Sequence, residues 1–272
     1  MDSAFYVPDG DRFVSTELTR GPWDPDAQHA GPPAALIARA LERCPSPADG
    51  DAPWQVGRVT FEILRPVPIA ALTVRVEVVR PGRSVELLSA TLADEREELI
   101  RASAWRLTTQ VVELPAGLSG EDPASPARRA TPLPGPAEGA EEAFFATGHE
   151  VGYHTGMEYR FVSGRFLDQG PATVWMRMRD PLVAGESPSP LQRVLIAADS
   201  GNGVSATLDW SRYLFINVDL SVHLHRLPAG EWVCLDAITI PEPTGVGLAD
   251  TALHDERGPL GRALQTLLVR ER

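Results

Sequence analysis

Apolar and polar positions alternate along most of the chain in short runs, and two longer stretches show helical spacing instead. In the first half the alternation predicts strands over residues 55–64, 72–80, 85–93 and 99–109, all rich in β-branched side chains. In the second half it predicts strands over 157–162, 173–179, 214–225, 232–240, 246–253 and 260–269. Helices are predicted over 29–41 and 190–208. Pro32 and Pro33 suit the first turn of the earlier one, where a missing N–H is tolerated. The expected class is α+β, with one long helix packed on an antiparallel sheet, used twice.

Sliding the chain against itself by 161 positions strengthens that reading. Residues 85–108 then lie over 246–269, and ten of these 24 positions are identical. The shared Asp94-Glu95-Arg96 and Asp255-Glu256-Arg257 fall between two strand-like runs, where a hairpin turn belongs. Between the copies, residues 114–139 carry Pro115, Pro123, Pro126, Pro132, Pro134 and Pro136. Prolines at that density continue neither a helix nor a ladder, so the stretch reads as a linker, or alternatively as an ordered loop wrapping one domain. The expected division is a first domain over 1–113, a linker over 114–140 and a second domain over 141–272.

Composition narrows the chemistry. All 25 Lys+Arg residues are arginines, so no lysine Schiff base and no phosphate loop ending in Gly-Lys can form. A net charge of -12 argues against nucleic acid or an anionic membrane as partner. No leader-like apolar segment opens the chain and no apolar run is long enough to span a bilayer, so a cytoplasmic location is expected. Cys44 and Cys234 lack the spacing of a disulfide framework or a zinc site.

Asp199 is the most informative polar residue. Helical spacing stacks it with Leu191 and Leu195 on a face expected to be buried, where a carboxylate must find partners or shift its proton affinity toward that of a general base. The other reading is a helix-terminating Asp, since Ser200-Gly201-Asn202-Gly203 follow at once. Gln265 shares one side of the last strand with Ala263, Leu267 and Val269, and its repeat mate is Ala104. It holds a ligand or water there, or reaches backbone at a sheet edge. Asn217 and Asp219 fall on the polar face of 214–225, opposite Leu214, Ile216, Val218, Leu220, Val222 and Leu224. Only a bulge or a doubly covered sheet would bring them into a site. His29 precedes Gly31 at a helix start, whose free N–H groups suit an oxyanion; it also reads as a loop histidine. His223 and His225 share a strand face and would need a third metal ligand that the sequence does not supply.

The repeat, the single helix per copy and the Asp/Asn/Gln trio resemble the double-hotdog acyl-CoA thioesterases, notably the bacterial type II group and related actinobacterial proteins. His225-Arg226 followed by Glu231-Trp232, and the terminal run from Leu264-Gln265 to Arg270, resemble that family's strands. His29-Ala30-Gly31 is similar to its His-Gly-Gly entry, with Ala30 in place of one glycine. The resemblance implies a double hotdog fold and a catalytic trio of Asp199, Asn217 and Gln265, Asn217 standing where the best-known members carry Thr. It implies hydrolysis of acyl-CoA to free acid and CoA within fatty acid metabolism, with no cofactor. Asp199 would take a proton from water held by the two amides. His29 and Gly31 would bind substrate, an N–H near Gly31 polarising the carbonyl. The alternative on the same fold is a non-catalytic acyl-thioester-binding protein; a hydratase would need an Asp/His spacing that is not found. The resemblance also implies that exposed sheets and edges can associate into a homo-oligomer, and that CoA phosphates are gripped by arginine or backbone N–H groups.

Overall fold

The computed structural model describes residues 3–48, 52–118 and 133–272. The chain forms β1 (Tyr6–Asp9), β2 (Arg12–Ser15), helix α1 (Gly31–Arg43), β3 (Trp54–Ile63), β4 (Ala71–Arg80), β5 (Val85–Ala93) and β6 (Glu98–Thr108). Beyond the proline-rich stretch come β7 (Ala140–Glu141), the one-turn α2 (Tyr153–Gly156), β8 (Met157–Ser163), β9 (Ala172–Met178), α3 (Pro190–Ala198) and α4 (Gly201–Val204). The chain continues through β10 (Tyr213–Asn217), β11 (Asp219–Leu224), β12 (Val233–Pro241), β13 (Val246–Asp255) and β14 (Gly258–Glu271). Of residues 114–139, positions 119–132 lie outside the described residues. Just after them, Pro134 O accepts a hydrogen bond from Trp175 Nε1 at 2.9 Å.

The sequence repeat is a repeat of hairpins. β5 pairs with β6 so that Ala90 opposes Ala102, and β13 pairs with β14 so that Thr251 opposes Ala263, the same register 161 positions on. The shared aspartate shapes both turns. Asp94 Oδ1 accepts the N–H groups of Arg96 and Glu97 at 2.8 Å each, and Asp255 Oδ1 those of Arg257 and Gly258 at 2.9 and 3.1 Å. All strands join one sheet in the order β1-β2-β4-β5-β6-β3-β11-β14-β13-β12-β9-β8-β7, with β10 also on β14. The halves meet edge to edge at β3 and β11, where Thr60 pairs with Ser221.

Each helix lies on its own half of the sheet, and α1 and α3 pack against one another. Gly31–Ala38 and Leu41 are buried, so α1 is covered along most of its length. The expectation of one long helix per copy holds for α1 alone. The helix predicted over 190–208 stops at Ala198, resumes for one turn as α4 and ends at Val204. The cause is a side chain inserted at the break: Tyr153 Oη donates to Ile196 O at 2.7 Å and meets Ser200 Oγ at 2.9 Å.

The strand predicted over 214–225 is likewise two. Asn217 opposes Leu267 whereas Ser221 opposes Leu264, so the register slips by one residue around Val218. Side-chain parity flips with it. Phe215 and Asn217 turn inward, Ile216 and Val218 are 41% and 46% exposed, and Leu220, Val222 and Leu224 are buried again. The expected apolar face of this run is therefore wrong before the slip. Asp219 secures the bulge, its Oδ1 accepting the Thr266 N–H at 2.6 Å. β3 carries the same slip at the repeat-equivalent place, between Val56 and Arg58.

Candidate active site

The bulge and the helix break bring the three polar side chains together. Asp199 is the residue that ends α3, and it is only 7% exposed, so both readings of its sequence position describe it. Asn217, turned inward by the bulge, donates from Nδ2 to Asp199 Oδ1 at 2.8 Å and to Asp219 O at 3.2 Å. Gln265, 2% exposed on β14, donates from Nε2 to Asp199 Oδ1 and to Asp199 O, both at 3.1 Å. Its Oε1 accepts the Asn202 N–H at 3.0 Å. β14 is an interior strand, so Gln265 is no edge residue even though it bonds backbone. Gly201 makes this approach possible, because a Cβ there would lie 2.4 Å from Thr251 Oγ1.

Both Nδ2 donors of Asn217 and both Nε2 donors of Gln265 are thus occupied. Their amides grip one carboxylate oxygen, and Asp199 Oδ2 is left for other partners. One is His29, whose Nδ1 lies 3.1 Å away. His29 comes from the other half of the sheet, carried to Asp199 by the close crossing of α1 and α3. Gly31 sits at that crossing, where a Cβ would fall 2.3 Å from Ile196 O. The Gly31 N–H donates to His29 Nδ1 at 3.0 Å. Nδ1 therefore accepts from Gly31 when bare and donates to Asp199 when protonated. Burial holds the imidazole below the ordinary histidine range, against the opposing pull of the Asp199 carboxylate. The Tyr153 ring stacks on it with centroids 3.8 Å apart, 9° from parallel.

Asp199, Asn217 and His29 line a cavity of about 400 Å³. Aliphatic residues such as Ile63, Leu64, Val67 and Val204 line part of it, and an aromatic cluster lines another part. Phe144 and Phe145 have ring centroids 4.4 Å apart, Phe144 and Phe166 also 4.4 Å, and Tyr159 meets Phe166 edge-on at 5.0 Å. Trp23 lines the cavity and stacks on Trp210 at 4.1 Å. Tyr153, Ser200 and Asn202 belong to the site and were not singled out from sequence. No cluster of three or more His, Cys, Asp or Glu side chains among the described residues could hold a metal ion, His223 and His225 included. No helix among the described residues is long and apolar enough to cross a membrane.

Comparison with known proteins places this fold. Solved structures share the fold across nearly the whole chain. A hot dog fold protein of Alicyclobacillus acidocaldarius is 15% identical with a TM-score of 0.69, covering 98% of this chain and 95% of its own. A Thermobifida fusca protein proposed to be a thioesterase II is 18% identical with a TM-score of 0.71, covering 97% and 95%. An acyl-CoA thioesterase II of Mycobacterium marinum is 16% identical with a TM-score of 0.60, covering 97% and 93%. No curated protein is a significant match by sequence. Residues 19–107 match the model of the acyl-CoA thioesterase N-terminal domain, and residues 128–269 that of the C-terminal domain. The chain belongs to the acyl-CoA thioesterase family.

Proposed function

We propose that the protein hydrolyses acyl-CoA thioesters to free acid and CoA, on a double hotdog scaffold and in the cytoplasm, with Asp199 as general base. The observation that carries this reading is the division of labour between the two Asp199 oxygens. Oδ1 is fixed by Asn217 and Gln265, while Oδ2 remains for the cavity and for His29. A buried carboxylate held on one side and open on the other can accept a proton from a water attacking the thioester carbonyl. The attack forms a C–O bond, and collapse of the tetrahedral intermediate breaks the C–S bond to release the CoA thiolate. His29 Nδ1, 3.1 Å from Oδ2, takes that proton in this scheme, and the resulting imidazolium releases one from Nε2 to the thiolate. Asn217 and Gln265 act as positioning residues in this scheme, and Gly31 acts by permitting the helix crossing.

Release of free thiol from acyl-CoA by wild type and by Asp199→Asn tests the proposal. The variant keeps the shape of the side chain and should lose about 10²–10⁴-fold in kcat. Unchanged turnover in a folded variant would remove Asp199 from the mechanism. Tight binding of acyl-CoA without thiol release by the wild type would establish the protein as a thioester-binding module instead.

A further inference from the structure

We propose that Tyr153 is a positioning residue for the reaction: its ring fixes the plane of His29 and favours the imidazolium formed when His29 takes the proton from Asp199. The inference rests on the thioester-hydrolase reading and adds to it a residue that acts through His29.

One short piece of backbone sets the two rings side by side. Thr19 O accepts the His29 N–H at 2.8 Å, and the next carbonyl, Arg20 O, accepts the Tyr153 N–H at 2.9 Å. Gly152 permits this approach, because a Cβ there would lie 3.0 Å from Arg20 O. The rings then stack face to face, 3.8 Å between centroids and 9° from parallel. The far end of the Tyr153 side chain is tied to the break after α3. Its hydroxyl carries a single hydrogen, which goes to Ile196 O at 2.7 Å, so Ser200 Oγ is the donor in their contact at 2.9 Å. Ser200 follows Asp199 in the chain. The ring on which His29 rests and the carboxylate that His29 must reach are therefore held by the same turn of backbone. Tilting the imidazole out of its plane would break the stack and carry Nδ1 away from Asp199 Oδ2, 3.1 Å distant.

The stack also weighs the two charge states of His29 differently. Tyr153 is 2% exposed, and burial pushes its phenol upward, so the ring stays neutral. The face of a neutral aromatic ring is its negative side, and it attracts a cation held against it more than an uncharged ring. Burial works the other way and holds the imidazole neutral before the reaction. The pull of the ring face is thus felt chiefly when the proton from Asp199 arrives. A contact that strengthens at that moment raises kcat and leaves substrate affinity alone.

The test replaces Tyr153 by phenylalanine and by its 3,5-difluoro and pentafluoro forms, introduced by nonsense suppression. These keep the shape of the ring while draining its face of negative charge. With octanoyl-CoA, kcat should stay within about threefold of wild type in Tyr153→Phe and fall about tenfold further at the pentafluoro ring, KM unchanged. The residual kcat of His29→Gln should be indifferent to fluorination, because the imidazolium it acts on is gone. The hexanoyl thioester of 4-nitrothiophenol, whose thiolate leaves without a proton, should be hydrolysed at nearly one rate across the series. A kcat for octanoyl-CoA indifferent to fluorination overturns the proposal and leaves the hydrolase reading standing. An equal decline in the His29→Gln background, or with the aryl thioester, does the same. Absence of thiol release from octanoyl-CoA by the wild type overturns both.

Discussion

Thr60 and Ser221 stand 161 positions apart, face each other across the junction of β3 and β11, and share a hydroxyl hydrogen bond of 3.2 Å. That separation equals the offset of the sequence repeat, so each residue is paired with its own repeat mate. Such self-pairing occurs where a twofold axis passes between two like units. The chain therefore contains its own pseudo-dimer, and its two halves can be compared position by position.

That comparison predicts one site per chain. Moving back by 161 from Asp199, Asn217 and Gln265 leads to Ala38, Val56 and Ala104, all apolar and all buried. Titration with a non-hydrolysable thioether analogue of an acyl-CoA should give about one equivalent per chain. Two equivalents would mean that the first half binds as well.

Asn217 and Gln265 grip the same carboxylate oxygen, so their effects should not multiply. Asn217→Ala and Gln265→Ala should each lower kcat by roughly 10²–10³-fold. The double variant should lose far less than the product of the two. A loss equal to the product would show that the two amides act on separate steps.

Gly31→Ala should fail in two ways at once. Its Cβ would fall 2.3 Å from Ile196 O, so α1 and α3 must move apart. The cost expected for such overpacking is about 1–3 kcal/mol, seen as a lower urea midpoint. Turnover should drop as well, because His29 moves away from Asp199. A variant that is destabilised yet fully active would separate the crossing from the chemistry.

The first half holds a buried charge pair that the second half lacks. Arg106 Nε donates to Glu86 Oε2 at 2.8 Å, Ser46 Oγ donates to Glu86 Oε1 at 2.7 Å, and Glu86 is fully buried. The repeat-equivalent positions are Gly247 and Leu267. Arg106→Met leaves a buried carboxylate without its counter-charge and should cost about 3–5 kcal/mol in chemical denaturation. Glu86→Gln with Arg106→Met should recover part of that loss.

Stability should fall on mild acidification. Burial holds His29, His149 and His154 below the ordinary histidine range. The unfolded chain takes up these protons near pH 6.5, before the folded one does. Folded stability should therefore decline as pH drops below about 6.5 and level off below the folded-state values. Thermal melting from pH 8 to pH 5 should show this decline, and it should be shallower in His29→Gln. A melting temperature that rises over this range would contradict the assignment of buried neutral imidazoles.

Much of this molecule is legible in its residues. The hairpin repeat reads clearly because its identities fall on the turn aspartates and on strand positions that set register, and the Asp199–Gln265 association follows from a polar residue on each of two apolar faces. The inward turn of Asn217 does not read so easily. Alternation runs through Val218 without a break, and nothing in the run itself announces the slip. The hint lies in the other half, where the repeat mate of Val218 is Gly57, a glycine inside a strand and a common mark of a bulge. Tyr153 is less accessible still. It precedes Ile196 by 43 positions, and its part in breaking the helix exists only once α2 has folded under α3. The short β1 has the same character, since its link to Val183 is a contact made by folding.

The edge-to-edge junction also decides how the molecule ends. As folded, the strand order terminates in β1 and β7, four and two residues long, which offer little template for unwanted pairing. Parting the halves would add to these blunt ends two more, β3 and the β10–β11 run, as open ladders of unpaired N–H and C=O groups. Either half expressed alone would carry one of these raw edges and be prone to self-association. Keeping both halves on one chain makes the pairing of β3 with β11 an intramolecular event, and it shields the two strands whose exposure would favour aggregation over folding.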